Sequence, residues 1–150
     1  IFGEAFKLPE PMILEDVCVV PGIDGQKMSK SYNNTIPLFA SDDEIRSLVM
    51  SIVTDSSGEV PKNVYAIHRL IKDESTLAKL YSEKKGKYKD LKVALADDLL
   101  SFFRPIRVKR DELAKDKSAV LKILQEGGQK AKENGERKMR VVRNLVGVDF

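Results

Sequence analysis

From residue 61 onward, apolar side chains recur every three or four positions, the period that gathers them on one face of an α-helix. Val64, Ile67 and Ile71 predict one short helix, and Leu77, Leu80 and Tyr81 a second that stops by Gly86. Tyr88, Leu91, Leu95 and Phe102 predict a longer third. Pro105 lies inside that pattern, which resumes with Ile106 and Leu113, so a kinked long helix or a break is expected there. Val120, Leu121 and Leu124 predict a short helix ended by Gly127-Gly128, followed by a last one that turns Ala131, Val142, Leu145 and Val146 inward.

Before residue 61 the pattern changes. "DVCVV" at 16–20 is a β-branched run ended by Pro21-Gly22 and predicts a buried strand. "PGIDGQ" then has the composition of a mobile loop. Ser41 with Glu44 three residues later makes a capping box ahead of Ile45, Leu48, Val49 and Ile52, a helical face expected to stop near Thr54-Asp55-Ser56-Ser57-Gly58. The expected fold class is mainly α, with three parts. Residues 1–40 are a strand-and-loop remnant of an α/β domain, 41–60 a capped connecting helix and turn, and 61–150 a helical bundle with a basic outer face.

Composition narrows the class. Hydrophobic residues make up 42% and charged residues 33% of the 150, as in a soluble globular protein, and no apolar run approaches the roughly 20 residues that span a bilayer. The N-terminus lacks a leader pattern, and the lone Cys18 has no internal disulfide partner. A cytoplasmic setting is expected. The chain begins at Ile1 rather than methionine, so the front part of a longer protein is expected to be missing. Net charge is only +3 but unevenly spread. Residues 1–60 carry four basic and ten acidic side chains, or −6, whereas residues 61–150 carry 22 and 13, or +9. The basic part is either a solvated surface or a nucleic-acid footprint.

The stretch that carries chemistry is "GQKMSKSYNN" at 25–34, on a loop just after the predicted strand. A lysine ammonium is a compact charge on a flexible stem, suited to a phosphate oxygen whose charge rises as a bond breaks. Lys27 and Lys30 on a mobile loop can fold over a triphosphate, with serine hydroxyls and loop N–H groups as further donors. Such a loop can stabilise departing pyrophosphate. The alternative for two lysines in a generic loop is an exposed polar turn. Against it, average residue usage gives the pentapeptide Lys27-Met28-Ser29-Lys30-Ser31 by chance in a chain this long on the order of once in ten thousand or less.

That pentapeptide is the KMSKS signature of class I aminoacyl-tRNA synthetases. "GIDGQKMSKSYNNTI", "LVMSIVTDSSGEV" and "LQEGGQKAKE" resemble the C-terminal part of the bacterial tryptophanyl family, over essentially the whole chain. Thr54-Asp55-Ser56 and the all-helical tail favour tryptophan over tyrosine. The resemblance implies the end of a nucleotide-binding, Rossmann-like α/β domain followed by an anticodon-recognition bundle. It implies activation of tryptophan with ATP, its Mg2+ bound through the phosphates, and transfer to tRNA. Lys27 and Lys30 would be the catalytic pair, holding the β- and γ-phosphates, while Met28, Ser29 and Ser31 complete the ATP-binding set. The strand at Val17 to Val20 would run beside the adenine. The intact enzyme would be a homodimer and this segment a monomer. The family's histidine-containing ATP signature is absent, since the only histidine is His68, so the segment alone is expected to be inactive. Gly128 also departs from the alanine of many relatives and is expected to loosen the helix start there. Two alternatives stay open, a stand-alone helical RNA-binding module and the tyrosine-specific relative.

His68 has no metal-ligand cluster around it in sequence and reads as a surface or half-buried structural residue; no metal site is expected. Cys18 reads as a small core residue. Phe102-Phe103 could stack on bases but more commonly would be core. Arg104, Arg107, Lys109 and Arg110 are the candidate tRNA-phosphate contacts, followed by Lys130, Lys132, Arg137, Lys138, Arg140 and Arg143.

Overall fold

The computed structural model describes residues 3, 5–14, 19–54 and 60–148. Five α-helices account for most of them: α1 (Asp42–Ser51), α2 (Lys62–His68), α3 (Glu74–Glu83), α4 (Tyr88–Lys115) and α5 (Lys117–Val146). The caps are local chemistry. The Ser41 hydroxyl accepts the Glu44 N–H at 3.2 Å at the start of α1, and Asp73 and Asp116 accept from Thr76 and Ala119 at the starts of α3 and α5. The bond from Ser118, then that from the Ala119 N–H, holds the Asp116 carboxyl below its usual range.

The chain divides into two compact units, residues 13–108 and residues 1–12 with 109–150. In the first, Ile45, Val49 and Ile52 of α1 meet Val64 and Ile67 of α2 and Leu95, Ala96, Leu99, Leu100 and Phe103 of α4. Ile23, Ile36 and Leu38, from the loop segment before α1, pack against this core. A smaller cluster joins Leu77 and Tyr81 of α3 to Leu91 of α4. Fully burying aliphatic side chains of this size stabilises by about 1.5–3 kcal/mol each relative to exposure. Lys92 of α4 ties the end of α1 down. Its Nζ donates to the Met50 and Ile52 carbonyls at 2.9 and 2.7 Å, satisfying acceptors that a helix C-terminus leaves open.

In the second unit α5 has no fully buried residue. Lys138 donates to the Ala5 carbonyl at 2.9 Å and lies 5.7 Å from the Phe6 ring centroid. Of the side chains expected inward, only Val142 is half-buried; Ala131, Leu145 and Val146 are exposed.

Of the kinked long helix or break expected at Pro105, the break does not occur, and two further expectations are corrected. Helix α4 is unbroken through Pro105. The proline removes one N–H, which would have met the Ser101 carbonyl, and both residues face solvent, where water can replace the bond. Helix α5 runs straight through Gly127, Gly128 and Gly135. Each glycine weakens a helix by about 1 kcal/mol without forbidding it, and Gln129–Glu133 and Lys132–Glu136 pairs one turn apart support the stretch. The stop comes at Gly147, φ +73°, whose N–H caps the Arg143 and Asn144 carbonyls. The predicted strand at 16–20 falls largely outside the described residues. Val19 and Val20 are not in a strand, and no strand occurs among the described residues; one antiparallel bridge links Pro21 to Lys27. Among the described residues no helix is long and apolar enough to cross a membrane.

Candidate functional site

The loop at 20–34 is a tight hairpin built around glycine and asparagine. Met28 N–H donates to Val20 O at 2.8 Å and Gly22 N–H to Gln26 O at 2.7 Å, closing the two limbs on a turn at Gly22–Gly25. Gly25 sits at φ +79°, where a side chain is strained, and a Cβ there would come within 2.6 Å of the Asn63 amide. At Gly22 a Cβ would come within 2.4 Å of the Asn34 side chain.

Asn34 is the hub. It is buried, and its Oδ1 accepts the Ser29 N–H at 2.8 Å. Its Nδ2 donates to Asp24 at 2.8 Å and to the Lys27 carbonyl at 3.2 Å, while its own carbonyl accepts the Ile23 N–H at 3.0 Å. Three sides of the loop therefore converge on one amide. Ser29 opens a single 3-10 turn, Lys30–Tyr32, ended by Asn33 in the left-handed region at φ +53°. The Ser29 and Ser31 hydroxyls lie 2.8 Å apart.

Of the residues expected to bind ATP, Lys27, Lys30 and Ser31 are exposed, and Met28 and Ser29 are half-buried. No ion pair among the described residues uses Lys27 or Lys30. The main chain beneath both lysines is fixed and their stems are in solvent. That arrangement leaves two exposed positive charges that can meet an anion without first breaking an ion pair among the described residues.

The candidate RNA contacts fare differently from one another. Arg104, Lys109 and Arg110 are exposed on α4, with Lys109 3.4 Å from Glu112 and Arg110 3.4 Å from Asp111. The Arg107 guanidinium instead donates to the Leu38 and Ala40 carbonyls and to Asp42. Phe102 is 48% exposed, whereas Phe103 belongs to the core. In the tail, Arg137 donates to Asn134 and Lys132 faces Glu136.

His68 is fully buried, not merely half-buried. Its Nε2 lies 2.8 Å from Asp98, which leaves Nδ1 of the neutral ring to accept from the Tyr81 hydroxyl at 3.3 Å. Lys72 reaches both Asp98 oxygens at 2.6 Å. Burial holds the His68 ring below its ordinary value of 6.5 despite the opposing Asp98. Burial pushes Asp98 up, but hydrogen bonds from Lys72 and His68 outweigh it and leave the carboxyl lowered. Cys18 lies outside the described residues. No group of three metal-ligating side chains forms among those described.

Sequence reasoning passed over Asn34, Asp98 and Lys92. Asn34 had a signal, a buried-compatible amide after the Asn33 turn; the other two owe their roles to contacts 30 or more residues away.

A family model described as class I tRNA synthetases (W and Y) matches residues 2–124. The chain is 42% identical over 153 residues to a tryptophan–tRNA ligase of Fusobacterium nucleatum, covering 97% of this chain and 47% of that protein. It is also 42% identical over 141 residues to a tryptophan–tRNA ligase of Rhodopirellula baltica, covering 88% and 44%. The crystal structure of Campylobacter jejuni tryptophanyl-tRNA synthetase complexed with ADP and tryptophan superposes with a TM-score of 0.78 at 35% identity, covering 97% of this chain and 49% of that one. The chain thus spans about half the length of the relatives it matches. With most of its length matched by this family and its relatives there tryptophan–tRNA ligases, the chain belongs to the class I tRNA synthetases of the tryptophan and tyrosine group.

Proposed function

We propose that this chain is the part of a tryptophan–tRNA ligase that closes over the ATP phosphates and carries the tRNA-binding helices. The observation that carries the reading is the Lys27–Ser31 loop, clamped from below by Asn34 with both lysines exposed. In adenylate formation a tryptophan carboxylate oxygen attacks the α-phosphorus of ATP and the bond to the bridging oxygen breaks. Negative charge then grows on pyrophosphate. Lys27 and Lys30 neutralise that charge, Ser29 and Ser31 hydroxyls add donors, and Met28 packs beside the nucleotide. Mg2+ arrives on the phosphates.

Residues 1–40 act as the end of a Rossmann-like catalytic domain, 41–60 as its connection, and 61–150 as the anticodon-binding region. Arg104, Lys109 and Arg110 contact RNA phosphates in this reading. The working enzyme is a cytoplasmic homodimer that needs its other half for the tryptophan pocket. The relatives favour tryptophan over tyrosine as the substrate. The test is ATP–pyrophosphate exchange by the full-length protein with each amino acid in parallel. Exchange dependent on tryptophan supports the proposal; exchange dependent on tyrosine, or none, overturns it.

A further inference from the structure

Arg107 grips main chain rather than standing free. Its Nε donates to the Leu38 carbonyl at 3.0 Å and its Nη2 to the Ala40 carbonyl at 2.6 Å, across 69 and 67 residues of sequence. Nη1 pairs with Asp42 at 2.6 Å, and the side chain is only 19% exposed. Its guanidinium carbon lies 6.0 Å from the centroid of Phe103, a core ring. Donors on all three nitrogens are therefore engaged, which leaves little to offer an RNA phosphate.

What Arg107 holds is the outgoing limb of the candidate ATP loop, just past Asn34. The incoming limb is held separately. Ile23 O accepts the Val53 N–H at 2.7 Å, and Val53 O accepts from Asn63 of α2 at 2.9 Å. The limbs meet where Ile23 N–H donates to Asn34 O. Asn34 in turn bonds the main chain at Ser29 and Lys27. A shift of Leu38 and Ala40 would pass through this hub to the base of both lysines.

We propose that Arg107 is a positioning residue for the ATP-closing loop, fixing its outgoing limb to α4 so that Lys27 and Lys30 stand where the leaving phosphates develop charge. This rests on the reading of those lysines given above and deepens it. Lysine cannot substitute, because one ammonium does not reproduce a planar fork that meets two carbonyls and a carboxylate at once. A phosphate contact, by contrast, tolerates lysine.

The test uses Arg107→Lys and Arg107→Ala in the full-length ligase. Four readouts are needed: ATP–pyrophosphate exchange, equilibrium tryptophan affinity, tRNA affinity against salt, and hydrogen exchange at residues 22–40. Misplacement of about 1 Å can cost on the order of 100-fold in rate, so Arg107→Lys should lose about tenfold or more in kcat/KM for ATP and Arg107→Ala more. Tryptophan affinity and the salt slope for tRNA should stay unchanged, while the Ile23 and Ser29 amides exchange faster. Normal ATP kinetics in Arg107→Lys, with Arg107→Ala weakening tRNA and lowering the salt slope, would overturn the proposal in favour of an RNA contact. Equal losses in tryptophan affinity and ATP kinetics would also overturn it, as general loosening. Lys30→Ala in the same protein separates the two claims. If it leaves ATP kinetics intact the loop reading itself fails, and if it slows them while Arg107→Lys does not, only the positioning role falls.

Discussion

Asn34, 1% exposed, accepts the Ser29 backbone N–H at 2.8 Å and so fixes the middle of the signature loop from beneath. Removing the amide leaves the Ser29 N–H without its acceptor and opens a small cavity at the hub. Asn34→Ala should destabilise unit 13–108 by about 1–3 kcal/mol, the range for a buried polar group that loses its partner. Urea unfolding of the chain measures this. Asn34→Asp keeps the acceptor but turns a buried carboxylate oxygen toward Asp24 and the Lys27 carbonyl in place of the Nδ2 donor, and should be at least as destabilising.

His68 sets a pH dependence. Burial lowers its folded-state value below the ordinary 6.5, so the unfolded chain binds the proton more tightly than the folded one. The stability it contributes is fully present above pH 6.5 and is lost as the pH falls from there. Asp98 is also lowered, but from 3.8, so its contribution is lost only in stronger acid. Denaturation between pH 7.5 and 5 should show falling stability in the wild type. His68→Gln should be less stable at pH 7.5 but flatter across that range; an equally steep His68→Gln would exclude the histidine as the cause.

The glycines of α5 and those of the turns should respond oppositely to alanine. Nothing lies within 4 Å of a Cβ at Gly127, Gly128 or Gly135, and all three are inside the helix. Alanine at each should stabilise the helix by about 0.5–1 kcal/mol. Gly86 and Gly147 have equally open surroundings but φ +73°, and alanine there should destabilise. Thermal melts followed by circular dichroism distinguish the two sets.

Much of this organisation was legible in the chain. Ser41, the Val64–Ile67 pair and Leu77 with Leu80 and Tyr81 announced α1 to α3 because their signals are local. The long helices were only partly legible, a break at Pro105 being left open and a stop at Gly127-Gly128 expected, for a physical reason. Pro105 and Gly127-Gly128 are local breakers whose penalties are about 1–3 kcal/mol, and neighbouring turns and solvent outweighed them. The signature at Lys27–Ser31 stood out by its exact residue order and the family resemblance that order carries. Its more distant support did not, because Asn63 and Arg107 act on carbonyls brought close only by folding. Arg107 in particular carries the same charge in sequence as Arg104, and only the fold separates them.

The exposed basic side chains of residues 61–150 should give the isolated chain weak, salt-sensitive RNA binding. Each phosphate contact releases counterions, so log affinity should fall steeply with log salt. Charge reversal at Arg104 and Arg110 should weaken binding and lower the slope. A preference for the tryptophan anticodon stem-loop over a scrambled one should survive in the wild type, since base contacts specify where phosphate contacts only position. A salt titration with both stem-loops measures it; equal affinities would leave a generic basic surface.

The most direct measurement is pre-steady-state tryptophan activation by the full-length protein carrying Lys30→Ala, under the proposed function. If Lys30 meets charge that grows as pyrophosphate leaves, activation should slow by the equivalent of about 2–4 kcal/mol in the transition state, with tryptophan affinity little changed. An unchanged activation rate, with only weaker tryptophan binding, would contradict the role assigned to the loop.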